Sequence, residues 1–400
     1  MSDMSGPDTP GSFYDPYADA VLEDPAPVYA RLRREAPVLH LERYDAWFLA
    51  RFEEIWQATQ SPKLSVARGI TPSNLLLGQP ALDRMPSQMD PPRHTEVRAL
   101  VGPHFRPAAA RELEPAMRRI AASLLDELVP RGSFDAVRDF GARLASRVAC
   151  LLTGLPAEDA DRLCHWVNGF FHRRPGHRGE TEVAARVGAE LHDYVAGFVR
   201  AARRDPARTS GVAHTLLTRT PGTRPMDDED VTAALVNFQI AASDSFPKAL
   251  AATLHRLWQH PDQRRRVAAD PALCADAFHE AVRFDTPTQF QGRTVVEELA
   301  IGPHRLRPGQ KLCFLFASAN RDEREFAEPD RFDVLRRPRR MLGFGNGIHL
   351  CLGMHVARAE ARVALEELLG RVPDYAVREA GAERARTEYV QGWLRLPIEF

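Results

Sequence analysis

The stretch Phe344-Gly345-Asn346-Gly347-Ile348-His349-Leu350-Cys351-Leu352-Gly353 sets one cysteine among closely spaced glycines, with a histidine two residues before it. Glycine permits backbone conformations that other residues resist and lets a chain approach a flat ligand closely. A long helical pattern follows at once. The cysteine therefore stands at a helix N-terminus, where the dipole and free N–H groups favour a thiolate. A buried thiolate of that kind suits iron, and heme iron held by thiolate is the arrangement that favours O–O cleavage. An isolated cysteine otherwise serves as a small apolar core residue. Cys150, Cys164, Cys274 and Cys313 have no metal-like partner spacing and read as core.

The ten-residue string resembles the heme-binding loop of the cytochrome P-450 family, Phe-Gly-x-Gly-x-His/Arg-x-Cys-x-Gly, and every specified position matches. The resemblance extends over residues 15–400. It implies a mainly α fold with small β-sheets, a triangular prism with heme b (iron protoporphyrin IX) between a long central helix and the cysteine-loop helix. Cys351 would be the axial ligand, with Phe344 and Gly345 shaping the loop around the cofactor.

Three further constellations gain meaning beside that loop. Glu280 and Arg283 lie three apart and share one helix face. Alone such a pair says little, but the resemblance implies a buried Glu280–Arg283–Arg331 network bracing the cysteine loop. His94 and Arg98 lie one helical turn apart. By themselves they read as a solvated basic face; the resemblance implies that they pair with heme propionates, joined by Arg293 and His349, since charge-assisted bonds suit carboxylates. The run Ala241-Ala242-Ser243-Asp244-Ser245-Phe246-Pro247 takes the place of the family's Ala/Gly-Gly-x-Asp/Glu-Thr. Asp244 and Ser245 would then relay protons to iron-bound dioxygen. Here Ala242 replaces glycine, Ser245 replaces threonine and loses a rotamer-fixing methyl, and Pro247 removes a helical N–H and predicts a bend or widening.

The elements that must position these groups can be read from the pattern. A helix is expected at Pro25–Glu35, then a hairpin of Pro37–Leu41 and Ala46–Ala50. Residues 65–90 read as a long loop, and His94 to Glu127 as helical and basic. Further helices are expected within 135–204, at 227–260, 272–285 and 354–370, with short strands toward Phe400. Residues 1–15 read as a flexible arm and 16–400 as a single catalytic domain.

Composition bounds the function. Lys plus Arg is 53 and Asp plus Glu is 54, a net charge of −1, which disfavours a nucleic-acid binder. Five scattered cysteines give no disulfide framework. The start lacks a signal-peptide core, and no apolar run of about 18 residues offers a membrane span. A cytoplasmic monomer is expected. Arg324, Arg336, Arg337, Arg339, Arg340, Arg358 and Arg362 cluster around the cysteine loop. They form a solvated surface or a docking face for an acidic electron donor.

The resemblance implies a monooxygenase that takes dioxygen as co-substrate and electrons from ferredoxin and ferredoxin reductase. It would hydroxylate a small organic molecule of bacterial secondary metabolism. Oxidative coupling or cyclisation by the same heme is the alternative within that class; a non-catalytic heme-binding sensor or recruitment protein is the alternative outside it. By family position the substrate would meet Leu75, Leu76, Leu77, Val167, Phe170, Phe171, Phe238, Ala241, Thr288, Gln289 and Val390, an apolar pocket with polar anchors. The basic segment 172–178 reads as a solvated loop, or as an attractor for an acidic substrate or carrier protein.

Overall fold

The computed structural model describes residues 13–82, 84–174 and 176–400. Its longest helix, Asp228–Gln259, opens on a reciprocal cap. The Asp227 carboxylate accepts from the Asp230 N–H at 2.8 Å, and the Asp230 carboxylate accepts from the Asp227 N–H at 3.4 Å. Three acidic residues in the first turn complement the positive end of the helix dipole. From Val231 to Leu257 the helix is buried on almost every side, as a helix through the middle of a protein must be. It runs unbroken through Pro247. The π-helical turn Ala136–Gly141 packs against it; a Cβ on Gly141 would lie 3.3 Å from Pro247 Cα.

The helix Met354–Arg371 follows the cysteine loop and packs on Pro107–Leu128 and Cys274–Phe284. Leu365 and Leu368 are fully buried there, each worth roughly 1.5–3 kcal/mol relative to exposure. Ion pairs from Arg118 to Glu367 at 2.6 Å and from Arg362 to Glu114 at 2.5 Å fasten Met354–Arg371 to Pro107–Leu128.

A five-stranded mixed sheet forms one wall. Its order is Val38–Leu41, Ala46–Leu49, Lys311–Phe314, Gln291–Val295, Leu64–Ser65. Ala46–Leu49 pairs parallel with Lys311–Phe314, and the other pairs are antiparallel. Among the described residues, the three remaining sheets have two or three short strands each. The mainly helical fold with small sheets is as expected, including the hairpin, which turns through Glu42–Tyr44 and a left-handed Asp45.

Three local differences have physical causes. The expected loop 65–90 contains the helix Pro72–Leu77, nucleated by a Thr71–Asn74 capping box. The stretch from His94 onward is two helices, Arg93–Val101 and Pro107–Leu128, parted by the turn Gly102–Phe105. Pro103 and Pro107 lack the N–H groups a continuous helix would use. The expected arm falls partly on residues 1–12, outside the described residues. From residue 13 the chain is packed: Tyr14 is 1% exposed and meets Phe48 edge-on at 5.3 Å.

Candidate functional site

The cysteine loop is held by backbone geometry first. Gly345 and Gly347 adopt φ of 70° and 72°, the left-handed region that glycine tolerates. A side chain on Gly347 would strike the carbonyl of Thr59, with its Cβ at 2.4 Å. Asn346 Nδ2 donates to Trp56 O at 3.0 Å and Thr59 Oγ1 at 3.1 Å, tying the loop to the helix Phe52–Ala58. The Cys351 N–H donates to Phe344 O at 2.8 Å, and the Phe344 ring stacks on His279. Cys351 keeps accessible surface, yet burial is the main influence on its thiol. Its sulfur therefore lies on the wall of an internal recess. Burial pushes the thiol pKa up, opposed by the N–H of Gly353, by Arg98 and by the N–H of Met354. A coordinated metal ion would reverse that balance, because it deprotonates the thiol it binds.

His94, Arg98, Arg293 and His349 gather beside this sulfur. The rings of His94 and His349 are 4.2 Å apart, and Arg98 Nη2 donates to Leu350 O at 2.5 Å. Arg293 is 8% exposed, and its Nη1 donates to the carbonyl of its own neighbour, Gly292 O, at 2.8 Å. His94 Nδ1 is buried without a partner among the described residues. The groups depress one another. Burial, then Arg293, His94 and Arg98, bring His349 down to about 3. Burial brings Arg293 down to about 10. Asp90 lies near enough to favour the charged forms of His94 and Arg293, yet among the described residues none of the four is ion-paired with a carboxylate, so the cluster favours an anion that joins it. One sulfur donor beside two arginines and two histidines that lack ion-pair partners among the described residues fits a prosthetic group that binds a thiolate and carries acidic substituents.

Glu280 and Arg283 are 1% and 0% exposed. Arg283 donates to Glu280 through Nε at 2.8 Å and Nη2 at 2.7 Å, and to the carbonyls of Asn320 and Pro329 at 2.9 Å each. The third arginine is not Arg331. Its side chain is 62% exposed and pairs with Glu328; its carbonyl alone touches the network. Arg336 takes the place, with Nε 3.1 Å from Glu280 Oε1, and the Asp333 N–H donates to the same oxygen at 3.0 Å. The turn Asp333–Arg336 aims Arg336 inward, so it leaves the surface cluster.

On the central helix, residues 238, 241, 242 and 245 fall on one strip at 100° per residue. Ala241 is exposed, and Ala242 and Ser245 are half-buried, along the recess. Among the described residues, Ser245 Oγ makes only a 3.4 Å back-bond to Ala241 O. Asp244 lies at the edge of the strip, buried, and is ion-paired with Lys248 one turn on. The Lys248 ammonium lies 5.4 Å from the centre of the Phe171 ring. Sequence reasoning passed over Lys248; an Asp–Lys pair at i, i+4 within an otherwise apolar helix was the available signal.

The expected substrate contacts divide. Leu75 and Leu76 are buried and Leu77 half-buried on the short helix. Phe170 and Phe171 meet edge-on at 5.3 Å, both partly exposed. Phe238 borders the strip at 9% exposure. Thr288 bridges to Val390, which brings residues 387–391 beside 286–291. Val167 has no accessible surface and belongs to the main core, so it drops out as a contact. Gln289 donates to Thr286 O at 2.7 Å and borders a separate small cleft with His255 and Trp393.

The basic surface is largely neutralised. Arg324 pairs with Asp322 and Glu323, Arg337 with Asp276, Arg340 with Glu325 and Glu53, and Arg362 with Glu114 and Glu366. Among the described residues, that leaves Arg339 and Arg358 outside any carboxylate pair.

Comparison with known proteins identifies the architecture. The cytochrome P450 family model matches residues 272–372. The vitamin D(3) 25-hydroxylase of Pseudonocardia autotrophica is 32% identical over 392 residues, covering 96% of each protein. Cytochrome P450 130 of Mycobacterium tuberculosis is 31% identical, covering 94% of this chain and 95% of that one. The solved structure of HmtN, a post-tailoring hydroxylase involved in himastatin biosynthesis, superposes with a TM-score of 0.83 at 28% identity, covering 94% and 97%. The chain belongs to the cytochrome P450 family of monooxygenases. Among the described residues, no helix is long and apolar enough to cross a membrane.

Proposed function

We propose that this P450 hydroxylates a small organic molecule of bacterial secondary metabolism, with electrons from ferredoxin and ferredoxin reductase. The observation that carries it is the Cys351 sulfur at a helix start beside two arginines and two histidines without ion-pair partners among the described residues. Bound heme b would supply the iron at which dioxygen is reduced and split. Cys351 would hold its iron through sulfur, positioned by the Phe344 carbonyl and the left-handed glycines. His94, Arg98, Arg293 and His349 would take the propionates, which would relieve the mutual depression of these bases. Glu280, Arg283 and Arg336 hold the chain behind the loop. Ser245 lies on the recess and can hand on a proton from water. Asp244 can resupply it once its carboxylate parts from Lys248. Leu77, Phe171, Phe238 and Val390 exclude bulk water. Relatives named as hydroxylases support the reaction class.

The test is purification with heme, the reduced carbon monoxide spectrum, and turnover with NADPH, ferredoxin and its reductase over a metabolite panel. The expected result is a thiolate-type adduct that is lost in Cys351→His, and a product that gains one oxygen atom. A product that loses two hydrogens would assign coupling or cyclisation instead. Heme uptake without any product would assign the sensor role.

A further inference from the structure

Three buried polar atoms without partners converge from three segments. Glu388, between the strands Glu383–Ala385 and Gly392–Arg395, is 6% exposed, and its Oε1 has no hydrogen-bond partner among the described residues. Tyr17, just before the helix Asp19–Glu23, is 8% exposed, with its hydroxyl equally without partner. Arg173, in the connection from Ala160–Phe170 to Glu182–Arg204, buries an unpartnered Nε. Gln391 Nε2 donates to Val21 O at 3.1 Å and the Arg178 guanidinium lies 5.0 Å over the Tyr17 ring, which brings the three segments together, and Glu388 senses each of the other two. Burial and then Glu388 push the Tyr17 phenol up, while burial raises Glu388 and Arg173 counters it. None is bonded to another. Groups like these are ordinarily satisfied, and each left alone costs about 1–3 kcal/mol.

Two of them adjoin, along the chain, residues expected to border the recess. Glu388 is two residues from Val390, which bridges Thr288. Arg173 is two residues from Phe171, the ring beside Lys248. The three atoms offer two donors, Arg173 Nε–H and Tyr17 O–H, and one acceptor, Glu388 Oε1. A neutral amide supplies the complement: a carbonyl with two lone pairs and one N–H. A carboxylate would bring only acceptors toward Glu388, and an ammonium only donors toward Arg173. Either would also bury a net charge, which is far costlier than burying a neutral dipole.

We propose that Glu388, Tyr17 and Arg173 recognise a neutral amide, a carboxamide or peptide bond, at one end of the substrate. Its apolar remainder lies against Phe171, Phe238 and Val390. This rests on the reading that the recess over Cys351 receives substrate.

Calorimetric titration of the heme-loaded enzyme with decanamide, methyl decanoate, 1-decanol, decanoate and decyltrimethylammonium tests it. The expected result is decanamide binding about tenfold tighter than any other probe, the worth of a hydrogen bond to a charged group. Glu388→Leu should erase that preference while leaving methyl decanoate binding unchanged, and Glu388→Gln, which keeps the acceptor, should retain it. Equal binding of all probes, a preference for the acid, the ammonium or the alcohol, or no binding at all would overturn the proposal. So would an equal loss for every probe in Glu388→Leu, which would mark the residue as a latch between segments. Calorimetry reads binding without turnover, so an enzyme that prefers the amide yet forms no product would defeat the reaction proposed above and leave the recognition site standing.

Discussion

Exchanging the two arginines that could brace Glu280 separates a buried support from a surface one. Arg336→Met removes a charge-assisted bond to a carboxylate that is 1% exposed, from a side chain itself only 12% exposed. Arg336 also donates to the carbonyls of Ala327, Glu328 and Arg331, which can turn to water once it is gone. Glu280 keeps both bonds from Arg283, so its charge stays compensated. The loss should be that of one charged hydrogen bond, about 2 kcal/mol. Arg283→Met is more severe. It strips Glu280 of two bonds and leaves the buried Asn320 carbonyl unpaired, costing about 3–5 kcal/mol. Arg331→Met breaks only the exposed pair with Glu328 and should cost less than about 0.5 kcal/mol. Urea midpoints, with the carbon monoxide adduct as a probe of the cysteine loop, rank the three. Arg283 should exceed Arg336, and Arg336 should exceed Arg331. A double-mutant cycle of Glu280→Gln with Arg336→Met should show coupling of about 1–2 kcal/mol. An Arg331 variant as damaging as the Arg336 variant, or a coupling near zero, would refute the assignment.

Lys248→Met should destabilise by about 3–5 kcal/mol, because it leaves the Asp244 charge buried alone; adding Asp244→Asn should recover most of that in urea titrations, and a variant as stable as the parent would show that the pair is solvated. Burial brings His255 down to about 4 from an ordinary 6.5, so above pH 6.5 both folded and unfolded states hold it neutral, and as pH falls the unfolded state takes the proton first. Stability should drop by roughly 3 kcal/mol from this group between pH 6.5 and 4, and His255→Gln should flatten that part of the curve, as denaturant titrations across pH would read. Arg339→Glu with Arg358→Glu should slow reduction by ferredoxin at low salt and leave the heme spectrum intact; unchanged stopped-flow rates would remove this face from electron transfer.

What could be read from the sequence was whatever a few adjacent residues determine by themselves. The cysteine loop is of that kind: its glycines, its cysteine and the following helix occupy one stretch, and their types prescribe the backbone. The same holds for the capped central helix, where Asp227 and Asp230 announce the start. The brace behind the loop is different. Glu280 and Arg283 share a helical turn and were legible, but their third partner is chosen by a turn some fifty residues on. There the Arg336 N–H bonds Asp333 O at 3.0 Å and the Asp333 N–H bonds Glu280 at 3.0 Å. No pattern of residue types separates Arg331 from Arg336 before that turn is known. Tyr14 and Tyr17 were hidden for another reason. The Gly, Pro and Ser content of residues 1–12 suggested an arm whose end composition alone could not place, whereas Tyr14 packs on Phe48 and Tyr17 on Tyr44, both in a hairpin further along the chain. Arg173, Tyr17 and Glu388 carry the point furthest. Each is an ordinary polar residue in its own segment, and only the convergence of three distant segments makes them one site. The proposed amide site is therefore a long-range feature of the fold, while the cysteine loop is a local one.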